Sequence, residues 1–343
     1  MTATASTAVP APVRPTDFLG FDELLDDEEL MIRDTVRAFV HDQVLPHVTD
    51  WFEEARIPPE IAPSLGRIGV LGMHLSGYGC AGASATAYGL VCTELEAGDS
   101  GIRSLVSVQG SLVMFARQKM WITNGSVAEV AVVWARTDEG IRGFLVPGGT
   151  KGFTTQDIHR KLSLRASVTS ELLFDDVRLP ASAMLPEATS LRAPLSCLNE
   201  ARYGIVWGAV GAARACFEAA LAYSRDRVAF GRPIAATQIQ QQKLATMALE
   251  INRAALLTLH LGRMKDQGRL RPEHVSMGKL GNVNSALEVA RTARQMLGAN
   301  GVTLEYPVIR HMNNLESVVT YEGTADVHAL VVGSALTGIP AFR

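Results

Sequence analysis

The residues best suited to chemistry in this chain are Thr320-Tyr321-Glu322-Gly323-Thr324. They place a carboxylate between an aromatic ring and a glycine, directly before an apolar segment, residues 325–338, that is predicted to be a helix. Thr324 is suited to cap that helix. A carboxylate in such a place loses water, so its pKa rises and Glu322 becomes usable as a general base near neutral pH. The alternative is a surface glutamate at the start of a helix.

A second candidate is a lone arginine in apolar surroundings. Arg103 lies beside Ile102 and Leu105 in a helix predicted over Asp99–Met114. Either its guanidinium reaches solvent, or it faces an anion in a pocket. The glycine-rich residues 77–82 are a third candidate, for phosphate, but they have no following lysine and no βαβ frame, so a turn between helices is the favoured interpretation.

Composition limits the possible functions. The chain has 343 residues, of which 47% are hydrophobic, enough for two or three domains with large cores. The net charge of -3 predicts no general attraction to nucleic acid or to an anionic membrane. Cys80, Cys92, Cys197 and Cys216 are far apart and form no CxxC pair. They are interpreted as reduced thiols of an intracellular protein, and no metal site is predicted.

The N-terminal residues give no targeting signal. Residues 1–17 are rich in Ala, Thr and Pro and contain no continuous apolar run, so they are predicted to be a disordered arm and not a signal peptide. The most apolar stretches elsewhere are interrupted by charges and glycines, so no transmembrane segment is expected. Together with the cysteines, this predicts a cytoplasmic protein.

The hydrophobic pattern predicts helices, then strands, then helices again. Helical periodicity begins at Phe18 and continues over residues 59–71, 84–96 and 99–114. Short strands are predicted at residues 120–123, 130–135, 141–146 and 172–174. Long helices follow at residues 199–224, 236–266 and 272–297, with small residues that permit close helix contacts.

These elements define the expected fold class, which is mainly α with a β insert. The predicted domains are the arm at residues 1–17, an N-terminal helical domain at 18–116, a small middle β domain at 117–185, and a C-terminal antiparallel four-helix bundle at 190–343.

Several short motifs then occur together along nearly the whole chain. They are Gly77-Tyr78-Gly79, residues 99–104 with 107–109, Trp121-Ile122-Thr123-Asn124, residues 161–167, Ala201-Arg202-Tyr203-Gly204, Arg227 with Phe230-Gly231, Gln238, residues 295–301, residues 321–324 and residues 336–338. In this order the chain resembles the acyl-CoA dehydrogenase flavoproteins, most closely the glutaryl-CoA dehydrogenases. The resemblance implies the same order of domains that the hydrophobic pattern predicts.

The resemblance implies a role for Glu322 and its neighbours. Glu322 would remove the α-proton of an acyl-CoA thioester while a hydride leaves the β-carbon for the flavin of FAD. The thioester oxygen would be held by the backbone N–H of Glu322 and a flavin hydroxyl. Arg202 and Gly323 would lie at the acyl-CoA site.

The resemblance also implies the residues that hold FAD, partly from a neighbouring subunit. They are Trp121, Ile122, Thr123, Arg227, Phe230, Gln238, Gln295, Gly298, Thr324 and Phe342. An arginine suits the pyrophosphate because its planar fork makes paired, charge-assisted bonds. A homotetramer and an electron-transferring flavoprotein as electron acceptor are implied as well.

Within the resembling family, Arg103 indicates which acyl-CoA is the substrate. Together with Ser104 and Ser107, and with Glu96 at another polar position, it would receive the carboxylate of a glutaryl tail, since an unmatched buried arginine disfavours an alkyl tail. The expected reaction is oxidation and decarboxylation of glutaryl-CoA to crotonyl-CoA, a step of lysine and tryptophan degradation. The alternatives are a dehydrogenase for another short acyl-CoA and an inactive relative that acts as a scaffold.

One part of the family pattern is missing. The resemblance implies a further segment between Ala116 and Arg117, which completes the helical domain, supplies the first β strands and lines the flavin. The flanking motifs here follow each other almost directly. The middle β domain is therefore expected to be truncated, with open strand edges. Three explanations stay open: residues left out of the sequence, a natural deletion, and an engineered one.

Overall fold

The computed structural model describes residues 14–77, 79–111, 114–115 and 118–342, and of residues 108–119 no side chain is described. Tyr78 and the expected junction at residues 116–117 therefore lie outside the described residues. The described helices are α1 Asp27–Phe39, α2 Val48–Glu53, α3 Ile61–Arg67, α4 Ala85–Gly98, α5 Ser100–Ser111, α6 Arg192–Asp226, α7 Gln238–Asp266, α8 Pro272–Met296, α9 Pro307–Val318 and α10 Ala325–Thr337. The strands are β1 Ser76–Gly77, β2 Cys80–Ala81, β3 Met114–Phe115, β4 Gln118–Thr123, β5 Val130–Thr137, β6 Gly140–Pro147, β7 Phe153–Asp157, β8 Thr169–Phe174, β9 Val228–Ala229 and β10 Arg232–Pro233.

Helix α4 lies at the centre of the N-terminal helical region. Its N-cap Ser84 accepts a hydrogen bond from the Ala87 amide, and every residue of the helix except Ala97 is buried. It packs between α1 and α6. A side chain at Gly211 of α6 would meet the Thr93 carbonyl oxygen at 1.9 Å, so only glycine permits this contact. The expectation that small residues of α6 allow close helix packing is confirmed.

The β region consists of two three-stranded sheets. One has the order β3-β5-β6, with β5 and β6 antiparallel, and the other has the order β4-β8-β7 and is antiparallel throughout. Pairing between β4 and β8 shifts register between residues 119 and 122, and Trp121 within that bulge has φ +67°. A bulge turns a side chain out of the regular alternation. The Trp121 side chain is accordingly 63% exposed.

The C-terminal region is built on the pair α6 and α8, with α7, α9 and α10 packed around it. Its core includes Ile205, Val283 and Leu315, each at most 1% exposed. Among the helices of the described residues, α6 alone has the length and hydropathy to cross a membrane, and 67% of its most apolar window is buried within the protein. As expected from the sequence, charges and glycines interrupt this helix, among them Gly208 and Arg214 near its middle.

The structure corrects four further expectations. The helix predicted over Asp99–Met114 is described only over Ser100–Ser111, and residues 114–115 form a strand. Helix α9 was not predicted, so five helices, not four, make up the described C-terminal region. Strand β7 was not predicted either. The helix expected at residues 59–71 is shorter, since Gly69 and Gly72 adopt positive φ and end it.

Candidate active site

The segment 319–324 connects α9 to α10 and carries Glu322 in an unusual backbone conformation. Glu322 has φ +53° and Gly323 has φ +106°. A Cβ atom at Gly323 would also lie 2.9 Å from Nε2 of His328, so this position requires glycine for both reasons. A left-handed conformation costs a residue with a side chain on the order of 1–2 kcal/mol, and such strain persists where the surroundings hold it in place.

Two cations of the bundle hold this segment, the half-buried Arg202 and the buried Lys279. The Nε atom of Arg202, on α6, donates to the Glu322 carbonyl oxygen at 2.7 Å. The Nζ atom of Lys279, on α8, donates to the carbonyl oxygens of Tyr321 and Gly323 at 2.8 and 2.7 Å. Helix α10 begins directly afterwards, with the Thr324 hydroxyl accepting from the Val327 amide. The predicted cap at Thr324 is confirmed.

The Glu322 carboxyl group is poised to accept a proton. Its Oε2 atom is buried and has no hydrogen-bond partner among the described residues. Burial raises the pKa of Glu322 to about 7, while the nearby charges of Arg103, Lys279 and Arg202 act in the opposite direction. The predicted rise in pKa is confirmed, and its cause is loss of water. A carboxylate with this pKa is an effective base at neutral pH.

Arg103 lies next to this carboxyl group and is completely buried. Its Nε donates to Glu96 Oε2 at 2.5 Å, its Nη1 to Ser107 Oγ at 2.9 Å, and its Nη2 to the Tyr321 hydroxyl. Glu96 also accepts from the Ser100 hydroxyl at 2.8 Å. The guanidinium of Arg103 therefore does not reach solvent. Contact with solvent was one of the two alternatives considered from the sequence, and it is wrong. The pocket interpretation is the one that agrees with the geometry.

The Arg103–Glu96 pair depends on a glycine of the neighbouring helix. A Cβ atom at Gly208 would lie 2.1 Å from Glu96 Oε2 and 3.3 Å from Arg103 Nε. We expect Gly208→Ala to destabilise the protein by about 1–3 kcal/mol, because overpacking displaces a buried charged pair. Urea unfolding followed by circular dichroism measures this change.

Gly281 provides the matched control for that substitution. It lies within α8, and a Cβ atom there would meet nothing within 4 Å. Gly281→Ala should therefore stabilise the protein by about 0.5–1 kcal/mol through its helix propensity. Equal stabilities of the two variants would show that the Glu96 carboxylate can move away from α6 without cost.

The structure brings together one part of the predicted site. Glu322, Gly323, Arg202 and Arg103 form one cluster through the contacts above. Ser107 accepts from Arg103 and donates to the Ser104 carbonyl oxygen at 3.3 Å, and Ser104 is 5% exposed on the same helix. The predicted roles of these residues toward substrate stay predictions.

The residues predicted to hold FAD lie mostly on the surface, and no hydrogen bond or ion pair among the described residues joins them to Glu322. Ile122 and Thr123 are half-buried on β4, while Thr324 and Phe342 near the C-terminus are exposed. Arg227, Phe230 and Gln238 surround the β9–β10 hairpin between α6 and α7, and all three are exposed. Gln295 and Gly298 lie at the end of α8, where Gln295 accepts from Lys243 at 3.0 Å.

This exposed set fits a bound dinucleotide. The Phe230 ring is fully exposed and the Arg227 side chain has no ion pair or hydrogen bond within the described part of the chain. An exposed aromatic ring beside an unpaired guanidinium suits a molecule with a flat ring system and a pyrophosphate.

Sequence reasoning missed three residues of the site. Lys279 and His328 are each 1% exposed, and the Tyr321 hydroxyl bonds Arg103. Lys279 falls in a predicted helix, where a lysine is expected to face solvent. The hydrophobic pattern of that helix therefore does not indicate that Lys279 is buried. Tyr321 was noted as a neighbour of Glu322, but its contact with a helix 218 residues away in sequence cannot be predicted locally.

Comparison with known proteins assigns the chain to one family. Three family models match it: acyl-CoA dehydrogenase, N-terminal domain, at residues 26–120; the middle domain, at residues 90–177; and the C-terminal domain, at residues 191–337. The first two matches overlap over residues 90–120.

Solved structures and curated relatives agree with these matches. A crystal structure of glutaryl-CoA dehydrogenase from Mycobacterium smegmatis is 54% identical, with a TM-score of 0.93, covering 97% of this chain and 100% of that chain. A glutaryl-CoA dehydrogenase of the same organism in complex with FADH2 is 49% identical, with the same TM-score and coverage. The mitochondrial short-chain specific acyl-CoA dehydrogenase of Bos taurus is 29% identical over 376 residues, covering 91% of this chain and 90% of the relative.

The bovine alignment bears on the expected missing segment. It runs over 376 positions, whereas this chain has 343 residues, so the relative has residues without a counterpart here. Their position along the chain is not fixed by this number. A truncated middle β domain therefore stays a prediction, as do the predicted domain boundaries.

The family models cover nearly the whole length of the chain, and one solved structure is 54% identical to it. A second similar structure is a complex with FADH2. The buried carboxyl group of Glu322 and the cations around it agree with these matches. The chain belongs to the acyl-CoA dehydrogenase family, the FAD-dependent flavoenzymes that oxidise acyl-CoA thioesters.

Proposed function

We propose that this enzyme oxidises glutaryl-CoA and decarboxylates the product to crotonyl-CoA, with Glu322 as the base. The observation that carries the proposal is the buried Arg103 beside Glu322. Three of its five N–H donors are used by Glu96, Ser107 and Tyr321, and two have no partner among the described residues. One of these two is on Nη1 and the other on Nη2, and a terminal carboxylate can accept from both nitrogens of a guanidinium.

The charge of the site supports an anionic tail. While Lys279 is protonated, Arg103, Arg202 and Lys279 are positive, whereas Glu96 and Glu322 are negative, which leaves one positive charge at the site without a counterion. A proton shared between Glu322 and Lys279 does not alter this balance. A substrate carboxylate would neutralise the site, whereas an alkyl tail would leave a buried charge without a counterion.

The chain residues divide the chemistry among them. Glu322 takes the α-proton, and FAD, when held by the residues named above, would supply the acceptor for the hydride from the β-carbon. The Glu322 backbone N–H would stabilise the developing charge on the thioester oxygen. Arg103 holds the tail carboxylate until it leaves as CO2, and the protonated Glu322 can return its proton to the carbanion that remains.

Anaerobic titration of the FAD-loaded enzyme tests the proposal. Glutaryl-CoA should bleach the flavin absorbance and yield crotonyl-CoA and CO2 by mass spectrometry, whereas butyryl-CoA should bleach it at least about tenfold more slowly. Faster reduction by butyryl-CoA would favour the second candidate, a short-chain acyl-CoA dehydrogenase. That candidate rests on the bovine relative, whose name specifies short-chain substrates.

The pH dependence of the same reaction tests the base. Because Glu322 is active only when it is ionised and its pKa is raised to about 7, flavin reduction should be lost as pH falls through about 7. Below that midpoint the rate constant should fall about tenfold for each pH unit, measured by anaerobic stopped-flow absorbance. Burial lowers the pKa of Lys279 to about 7 as well, so the two groups titrate as a pair. A rate that is constant down to the ordinary pKa of a glutamate would contradict the assignment.

The assembly and the electron acceptor belong to the same proposal. Exposed apolar side chains on and beyond α10, such as Leu336 at 78% and Ile339 at 70%, support contacts with further copies of the chain. We infer a homotetramer, which analytical ultracentrifugation of the flavin-loaded protein can test, with a monomer as the contradicting result.

The family resemblance supports an electron-transferring flavoprotein as the electron acceptor. The corresponding assay measures reduction of that flavoprotein by the enzyme in the presence of glutaryl-CoA. A cytoplasmic location is part of this proposal, which cell fractionation can test.

A further inference from the structure

Lys279 is a buried cation without a carboxylate partner. It is 1% exposed, and no Asp or Glu oxygen of the described residues forms an ion pair with it. Its two hydrogen bonds go to the Tyr321 and Gly323 carbonyl oxygens, and the Tyr321 ring lies 5.8 Å from its Nζ atom. A buried lysine that binds only backbone oxygen stabilises one particular backbone geometry.

Lys279 and Arg202 together fix three consecutive peptide groups. Arg202 binds the Glu322 carbonyl oxygen, which lies between the two carbonyl oxygens bound by Lys279. No peptide bond in the described chain is cis. In a trans peptide the N–H points opposite to the C=O of the preceding residue. The Glu322 N–H is therefore turned away from Lys279.

The Glu322 N–H has no partner of its own. It donates no hydrogen bond within the described part of the chain, although its neighbour Tyr321 donates to the Ser317 carbonyl oxygen at 2.8 Å. A backbone N–H without a partner beside a buried carboxyl group is suited to receive an anionic oxygen. Its direction is set by the bond from Lys279 to the Tyr321 carbonyl oxygen, which belongs to the same peptide group.

We propose that Lys279 is a positioning residue, which holds the Tyr321–Glu322 peptide so that the Glu322 N–H faces the thioester oxygen of the substrate. The inference rests on the proposed function, because it concerns the direction in which the Glu322 N–H points toward the substrate of that reaction. Lys279 does not touch the substrate in this proposal. It acts through the peptide group, and its charge also lowers the pKa of Glu322.

The charged surroundings of Lys279 come from four elements. Arg202 on α6, Arg103 on α5, His328 on α10 and Glu322 itself face it. The cations and burial oppose its charge, whereas Glu322 favours it. Burial, with Lys279 and Arg202 acting in the same direction, lowers the pKa of His328 to about 4, so this ring is neutral near pH 7. A neutral Lys279 retains two N–H donors, enough for both carbonyl bonds.

The test uses acetoacetyl-CoA, a 3-ketoacyl thioester whose enolate reports on the oxyanion site. The apparent pKa of this ligand, bound to the FAD-loaded enzyme, is measured from the long-wavelength absorbance that an enolate gives beside oxidised flavin. We expect Lys279→Met to raise that pKa by about one unit, a tenfold weaker stabilisation of the enolate. The kcat for acyl-CoA oxidation should fall at least about tenfold with KM changed by less than about threefold.

A second lysine provides the matched control. Lys161 also donates to two backbone carbonyl oxygens, those of Leu164 and Ser167, in a segment away from Glu322. Lys161→Met should lower stability without moving the pKa of the bound acetoacetyl-CoA. An unchanged ligand pKa in folded Lys279→Met, or an equal shift in both variants, would overturn the proposal.

Amide hydrogen exchange separates this inference from the proposed function. In the flavin-loaded protein without substrate, Lys279→Met should exchange faster at residues 321–323, whereas Lys279→Arg, which keeps a cation and its donors, should remain closer to the wild type. If no acyl-CoA reduces the wild-type flavin, the proposed function is wrong. The exchange rates still test the role of Lys279 in that case, because they are measured without substrate. If Lys279→Met does not fold, the Lys279→Gln variant is measured in the same way, and unchanged exchange in either would contradict the proposal.

Discussion

Glu322→Gln should reduce the rate of flavin reduction by an acyl-CoA substrate by about 10²–10⁴-fold, while FAD stays bound. The amide has the shape of the carboxyl group but cannot accept a proton. Because burial opposes the charge of Glu322, the variant should be at least as stable as the wild type at pH 8, where the wild-type carboxyl group is ionised. Anaerobic stopped-flow absorbance gives the rate, and urea unfolding gives the stability.

A nearby glutamate serves as control for this substitution. Glu316 lies on α9, is exposed, and forms an ion pair with Arg291 on the surface. Glu316→Gln should leave flavin reduction within about twofold of the wild type, since exposed ion pairs contribute little. If Glu322→Gln reduces its flavin as fast as Glu316→Gln, another residue is the base.

Arg103→Met should have two effects that a second substitution can separate. It leaves Glu96 as a buried carboxylate without its cation, which should cost about 3–5 kcal/mol of stability. It also removes the donors for the tail carboxylate, so oxidation of glutaryl-CoA should fall by roughly 10²-fold. Unfolding in urea and anaerobic flavin reduction measure the two changes.

The double variant Glu96→Met/Arg103→Met removes the whole buried pair. Replacement of a buried ion pair by apolar side chains is often neutral, so stability should return to within about 1–2 kcal/mol of the wild type. Its activity with glutaryl-CoA should stay low while that with butyryl-CoA rises, because the pocket has become apolar. A stable double variant that still prefers glutaryl-CoA would refute the assignment of Arg103.

A second buried pair controls for stability alone. Glu94 is 2% exposed and accepts from Arg214 at 2.6 Å and from Arg37 at 2.9 Å, on the other side of α4 from Arg103. Arg214→Met should destabilise the protein because Glu94 loses one of its two cations. It should not change the preference between glutaryl-CoA and butyryl-CoA.

Local signals in the sequence predicted much of the fold. Strands β5 and β6 were identified from their apolar runs between turn residues, and the cap at Thr324 was identified from its residue type. Helix α9 was missed, since its buried face mixes the apolar Val308, Leu315 and Val318 with polar residues. Arg310 and Asn314 on that face bind Asp99 at 2.6 and 2.9 Å, and their burial depends on that distant carboxylate. Polar residues on the buried face weaken the apolar periodicity from which a helix is predicted.

By itself, the sequence determined the order of helices and strands, the family resemblance and the choice of Glu322, because these depend on residue types at short spacing. Tertiary structure decided how that carboxyl group behaves. Its pKa depends on burial among α5, α6 and α8, and Arg103 is held by Tyr321 from a part of the chain 218 residues away. Lys279 holds the Glu322 segment from 42 residues upstream of Tyr321. Desolvation and charge pairing depend on which groups the fold brings together, and spacing along the chain does not encode them.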